Sequence, residues 1–258
     1  MLEARDLTLT RGPNQVLRDV CATARPGAML GIVGPNGAGK SSLLACLAGL
    51  ARPDSGQVSL GGRPLTGFNR RDLARRVAYL PQEADERFAF TVREAALMGR
   101  NPFLGRLAPY SPQDQDLASQ ALAAMDMLHL AERSLTALSG GEKRRAGLAR
   151  VLAQNAGQDQ GIMLLDEPTS GLDIRHALAF MRLLRHKAES RAVAVVLHDL
   201  SLAGAFCREI LVLDRGRVAA SGPTAQVLTE NTLARVFGVK ARVETEENGR
   251  VGVSYLED

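Results

Sequence analysis

The stretch Gly34-Pro35-Asn36-Gly37-Ala38-Gly39-Lys40-Ser41 satisfies G-x-x-x-x-G-K-[ST] at every fixed position. It constrains the chain more than any other feature. A loop of this kind cradles the phosphates of a nucleoside triphosphate when it joins a buried strand to a helix. Both neighbours are legible: Met29 to Val33 is a short apolar run, and Ser41 to Leu50 carries helical apolar spacing. Glycines let the backbone turn tightly and aim its N–H groups at phosphate oxygens, while the helix adds the positive end of its dipole. Lys40 is expected to reach the β and γ phosphates, and Ser41 to offer a hydroxyl to Mg2+. Lysine is scarce, 4 of the 32 basic residues, which argues against a chance glycine turn.

Two further features carry chemistry. Ile162 to Leu165 is too apolar for an exposed strand, and it ends in the adjacent carboxylates Asp166 and Glu167. Beside a phosphate loop, the first acid is placed to hold Mg2+ and the second to orient and deprotonate an attacking water. The alternative is a pair of acids that merely cap the next element. The run Leu138-Ser139-Gly140-Gly141-Glu142 has the Ser-x-x-Glu spacing of a capping box ahead of a helix over 146–152. Capping leaves the two consecutive glycines unexplained. Exposed N–H groups at a helix start are what a second anion-binding terminus requires.

The rest of the chain gives an α/β rhythm. Residues 2 to 27 alternate around Gly12-Pro13-Asn14, the mark of a hairpin, and Gly56 to Leu60 is a further β stretch. From about Thr91 to Ala153 the pattern is helical, with starts at Thr91-x-x-Glu94, Ser111-Pro112 and Ser139-x-x-Glu142. Beyond Ile162, apolar runs alternate with helices that follow Asp173 and Asp199, and a hairpin turns at Arg215-Gly216. That order predicts a parallel sheet. The tail is read as a helix from Thr224, capped at Asn231 and stopped at Gly238, then two β segments around Asn248-Gly249.

Bulk properties exclude several classes. The longest apolar runs, such as Ala192 to Leu197, are far too short to span a bilayer. Acidic residues in Met1 to Asp6 interrupt any export signal, so a cytoplasmic location is expected. Cys21, Cys46 and Cys207 are odd in number and far apart, and all three are taken as reduced packing residues. Net charge is +4, and Arg70, Arg71, Arg75 and Arg76 form the densest basic group. Without interleaved aromatic residues this reads as a solvated helix face, and no nucleic-acid partner is expected.

Taken together, GPNGAGKS at 34–41, Gln82 after Ala78-Tyr79-Leu80-Pro81, LSGGE at 138–142, LLDEP at 164–168, SGLD at 170–173 and His198 after an apolar strand resemble the ATP-binding subunit of ABC transporters. The likeness spans residues 2 to 240 in the family's order. It implies an α/β fold: a phosphate-loop, RecA-like parallel sheet with an N-terminal antiparallel β subdomain and an inserted helical subdomain. Residues 1–240 would form the ATPase domain, with the helical part at about 83–155, and 241–258 a short C-terminal β extension. By the same likeness, Gly34, Pro35, Asn36, Gly37, Ala38, Gly39, Lys40, Ser41 and Ser42 hold ATP, and Ser41, Gln82 and Asp166 serve Mg2+. Glu167 is implied as general base and His198 as the contact to the γ-phosphate. Ser139, Gly140 and Gly141 bind the ATP of a second copy in a head-to-tail dimer, and Asp173 links the two sites.

Three positions depart from the family pattern. Leu9-Thr10-Arg11-Gly12 lacks the aromatic residue usually set against adenine, which leaves either an Arg11 guanidinium stack or a merely exposed arginine. Arg144 stands where glutamine is usual and Ser42 where threonine is usual; neither change is expected to abolish hydrolysis. Phe90 to Glu94, Met98 to Pro102, Leu197 to Ala203 and Gly222 to Thr229 are similar to importers of iron siderophores, haem and cobalamin, and the spacer 155–161 is similar to that of haem importers. Such importers pair two ATPase chains with two polytopic permease subunits and a periplasmic binding protein, which sets the chain at the cytoplasmic face of the inner membrane. The other class is a soluble ABC ATPase of iron–sulfur assembly, repair or translation. The chain lacks the long insert of repair proteins, the doubled motifs of translation factors and the N-K-x-D of GTPases.

Overall fold

The computed structural model describes residues 1–82, 90–105, 108–158, 161–246 and 249–256. Residues 83–89 and Arg106 of the segment after Gln82, Asp159 and Gln160 of the spacer, and Asn248 of the tail turn lie outside them. Alternation in the first 24 residues produces strands β1 (Leu2–Arg11) and β2 (Asn14–Ala24), paired antiparallel from Leu2↔Ala24 to Arg11↔Asn14. Strands β3 (Met29–Val33), β4 (Ser55–Leu60) and β5 (Arg63–Pro64) follow. The order β2-β1-β4-β5 makes one sheet. Helices α1 (Lys40–Leu47) and α2 (Arg70–Arg76) flank β4 and β5 in sequence.

The larger sheet has six strands in the order β10-β9-β3-β8-β7-β6. They are β6 (Val77–Leu80), β7 (Ile162–Asp166), β8 (Ala192–Val196), β9 (Glu209–Asp214) and β10 (Arg217–Pro223) with β3 at the centre. Strands β6, β7, β8, β3 and β9 run parallel, and β10 returns antiparallel at the Arg215-Gly216 turn. The core strands are buried on both faces, as a sheet covered on two sides must be. Ile32, Leu164, Val196 and Leu211 pack with α1 and the N-terminal sheet. Val33, Leu165, Val195 and Val212 face the other layer.

That second layer contains α3 (Val92–Leu97), α4 (Pro112–Ala124), α5 (Gly140–Asn155), α6 (Ile174–Ala188) and α7 (Leu200–Phe206). The three starts read from sequence all form reciprocal capping boxes, Thr91 with Glu94, Ser111 with Asp114 and Ser139 with Glu142. Helices α6 and α7 begin at Asp173 and Asp199, each accepting backbone N–H bonds as expected.

Two readings need correction, the tail helix with its cap and the packing role of Cys21, and two gain detail. The tail after Thr224 is two short helices, α8 (Thr224–Val227) and α9 (Glu230–Thr232), leading into one π turn at Leu233–Phe237. Its cap is Thr229, whose hydroxyl accepts from Thr232 N–H at 3.2 Å, and not Asn231; the stop at Gly238 stands, with φ 68°. The apolar run before Gln82 is the edge strand β6. Cys46 and Cys207 are buried, their thiols pushed up to about 11 and about 12 by burial, but Cys21 is exposed on β2 with its sulfur 3.3 Å from Asp6. On α2, Arg71 and Arg75 both donate to the Pro102 carbonyl, at 3.0 and 2.7 Å, so half of the basic group is tied down. Strands β11 (Ala241–Thr245) and β12 (Val251–Tyr255) form a closing hairpin.

Candidate functional site

Strand order decides what meets. Neighbouring parallel strands β3, β8, β7 and β6 point their C-terminal ends the same way. Beyond those ends lie the phosphate loop, His198, the pair Asp166-Glu167 and Gln82 respectively. This is the crevice where open α/β sheets bind ligands. An open cavity of ≈ 670 Å³ fills it, lined by Asn36 to Ser42, Gln82, Glu167 and His198, with Arg11 and Val16 at its side.

Two of the loop glycines are required by close approach. A Cβ on Gly34, φ 154°, would stand 2.1 Å from the Leu213 carbonyl, and one on Gly39, φ 101°, 2.5 Å from that of Val16. Only glycine allows both the conformation and the contact. Lys40 opens α1 and is buried; its ammonium donates to the carbonyls of Gly34 at 2.8 Å and Pro35 at 2.9 Å. Burial lowers its pKa, while Glu167 and Asp166 pull it back up. Gly34 and Pro35 therefore serve as anchors for the lysine rather than as cavity lining.

Asp166 is 1% exposed at the tip of β7. Burial raises its pKa above the ordinary value, opposed by a hydrogen bond from Ser41 and by the charges of Arg144 and Lys40, with Glu167 adding to the rise. Its Oδ1 has no hydrogen-bond partner among the described residues. A buried carboxylate with a spare oxygen, bonded to a hydroxyl beside the phosphate loop, suits a hard divalent cation. Among the described residues no three His, Cys, Asp or Glu side chains cluster as a metal cage, so such an ion would rely on hydroxyl, water and phosphate oxygens.

Glu167 adopts φ 48°, a left-handed conformation that costs a non-glycine residue about 1–3 kcal/mol and gathers at functional sites. The turn swings its side chain toward His198, whose Nε2 lies 2.6 Å from Glu167 Oε1. Beneath it, the Arg144 guanidinium donates to four carbonyls: Pro81 at 3.1 Å, Gln82 at 3.0 Å, Asp166 at 2.5 Å and Glu167 at 2.6 Å. Sequence reasoning missed this role. Its only signal was an arginine where the family pattern has glutamine.

Ser139, Gly140, Gly141 and Asp173 stand outside the cavity. Ser139 and Gly140 are exposed at the start of α5, where the Ser139 hydroxyl donates to Glu142 at 2.7 Å. Asp173 is likewise exposed; its pKa is lowered by the His176 backbone N–H at 2.9 Å and the ring Nδ1 at 2.6 Å. One chain thus gathers the loop, Gln82, Glu167 and His198 but leaves the second glycine-rich helix start facing solvent.

A phosphate loop at the crevice of a parallel sheet, with an acid at the tip of β7 one strand further along, defines a nucleotide-hydrolysing ATPase. The family profile described as ABC transporter matches residues 17–170, and the chain belongs to that family. It is 48% identical over 242 residues to the hemin import ATP-binding protein HmuV of Nocardia farcinica, covering 92% of this chain and 82% of that one. The fold matches a metal-chelate type ABC transporter in an inward-facing conformation with TM-score 0.80, 25% identity, and coverage of 100% of this chain and 98% of that chain. It also matches the dimeric ATP-binding cassette MJ0796 bound to ADP and Pi, with TM-score 0.75 and 25% identity over 87% of this chain and 99% of that chain.

Proposed function

We propose that this chain is the ATP-hydrolysing motor of a membrane importer for an iron chelate, hemin first, and that it works as a head-to-tail pair. The observation that carries the reading is the divided site: a cavity with the loop, Gln82, Glu167 and His198, and a Ser139–Gly141 helix start that lies outside it with Ser139 and Gly140 exposed. A second copy would bring its Ser139 and Gly141 across to the γ-phosphate, and Asp173 would join the two sites. The relative named for hemin import supplies the ligand class. Cobalamin or a siderophore is the nearest alternative, and a soluble ABC ATPase the more distant one.

Within each site the loop backbone and Lys40 bind the phosphates, and Glu167 accepts the proton of the attacking water. His198 holds the Glu167 carboxylate at 2.6 Å and faces the γ-phosphate. Mg2+, held by Ser41, Gln82 and Asp166, would neutralise phosphate charge. The helical part, about 83–155 within an ATPase domain of 1–240, would pass closure to two polytopic permease subunits, with a periplasmic binding protein delivering the ligand. Among the described residues no helix is long and apolar enough to cross a membrane, so attachment at the cytoplasmic face would be peripheral.

Detergent extraction of the native complex tests the reading. A polytopic protein should co-purify with the chain in equal number, and hemin with the cognate binding protein should raise its ATPase rate. A chain isolated without any membrane partner would sink the importer reading; stimulation by cobalamin or a siderophore instead would reassign the cargo.

A further inference from the structure

Strand pairing between β6 and β7 ends at Leu80↔Leu165. The residue that follows β6 is Pro81, which has no N–H to offer a ladder. On the other strand Glu167 turns into the left-handed region and sends its N–H to the Val196 carbonyl at 3.2 Å. The two strand tips therefore present four carbonyl oxygens, those of Pro81, Gln82, Asp166 and Glu167, with no ladder donors between them. Arg144 takes all four: Nη1 straddles the pair on the β6 side at 3.1 and 3.0 Å, and Nη2 the pair on the β7 side at 2.5 and 2.6 Å.

We propose that Arg144 is a positioning residue, a clamp that fixes the two residues projecting into the cavity from these tips, Gln82 and Glu167, relative to each other. The planar fork is what permits it. Glutamine has one donor nitrogen and cannot reach both strands, and lysine offers a point charge without the two-sided geometry. Arg144 stands on α5, the helix whose start carries Ser139. A displacement of that start toward a second copy is thereby passed through the clamp to the water-activating end of the same chain. The two half-sites of one chain are joined by one side chain. The proposal rests on Glu167 being the general base, and its test separates the two.

Steady-state ATP hydrolysis by the full chain is compared for wild type, R144Q, R144K and E167Q, with ATP affinity from titration calorimetry and melting by circular dichroism. The clamp predicts that kcat falls about 10-fold in R144Q, less than the ~10²-fold that a 1 Å misplacement can cost, and about as much in R144K. KM and ATP affinity stay within about twofold, and cooperativity in ATP is lost. Turnover within twofold of wild type in R144Q overturns the proposal. So does a parallel loss of affinity and turnover in both variants, which would leave Arg144 only a structural part. Wild-type turnover in E167Q defeats the general-base reading instead, whatever the Arg144 variants do.

Discussion

His198 Nε2 and Glu167 Oε1 are 2.6 Å apart, although 31 residues separate them in sequence. They meet because β7 and β8 are adjacent parallel strands and each residue lies just beyond its strand's end. The side chain that would activate water is already held by a ring nitrogen on the cavity wall. Replacing Glu167 by Gln keeps shape and hydrogen-bonding capacity but removes the base. Hydrolysis should fall about 10²- to 10⁴-fold while ATP binding is retained, read by phosphate release and calorimetry. Unchanged turnover would remove Glu167 from its role.

Lys40→Ala should act on binding instead. Its ammonium holds the Gly34 and Pro35 carbonyls, so the variant loses both the cation and the brace of the loop. A charged hydrogen bond is worth about 1.5–3 kcal/mol, so ATP affinity should weaken by about 10- to 100-fold in titration calorimetry.

Asp166→Asn should separate stability from activity. Burial raises the Asp166 pKa, which means the ionised form is disfavoured in the fold. The sign follows: this group's contribution is fully present below its unfolded pKa and is lost as pH rises through the raised folded one. At neutral pH a neutral isostere removes that cost. The melting temperature of D166N should therefore exceed that of wild type, while Mg2+-dependent hydrolysis collapses. A lower melting temperature would contradict the burial argument.

The Arg100–Asp114 pair should behave in the opposite sense. It is nearly enclosed, 8% and 11% exposed, at 2.9 Å, and Arg100 also donates to the Ala153 and Ala156 carbonyls at the end of α5. Burial alone would raise the Asp114 pKa, yet hydrogen bonds from Ser111 and Arg100 hold it below the ordinary value. Its stabilisation is present above the ordinary carboxylate range and is lost as pH falls through the depressed pKa. Asp114→Ala, leaving a buried guanidinium, should cost about 3–5 kcal/mol in urea unfolding. A loss below about 1 kcal/mol, the worth of a surface pair, would refute this.

Much of this was legible in the residues alone, for identifiable reasons. Local signals that carry their own hydrogen bonds, such as Ser139-x-x-Glu142 and Asp173, report the helix starts correctly because the cap is satisfied within four residues. The loop and the acid-bearing strand were readable because their spacing is dictated by phosphate chemistry. Contacts set by strand order were not: Glu167 with His198, and Arg144 with Pro81 across 63 residues, depend on which strands lie side by side. The cap of the tail helix was read at Asn231 and is Thr229, since asparagine ranks above threonine in isolation and only the chain's path decides otherwise.

Helices α3, α4 and α5 pack on one another, and each carries at its first turn a serine or threonine and an acid that close its end reciprocally. None borrows a group from the sheet to begin. Helix nucleation is the costly step in forming any helix, so these three can be seeded before the long-range strand pairing between β6 and β7, separated by about eighty residues of chain, is complete. Their amides should accordingly be protected early in pulse-labelled hydrogen exchange, ahead of β6, and the two polar residues at each end are as much instructions for the order of assembly as they are bonds in the finished molecule.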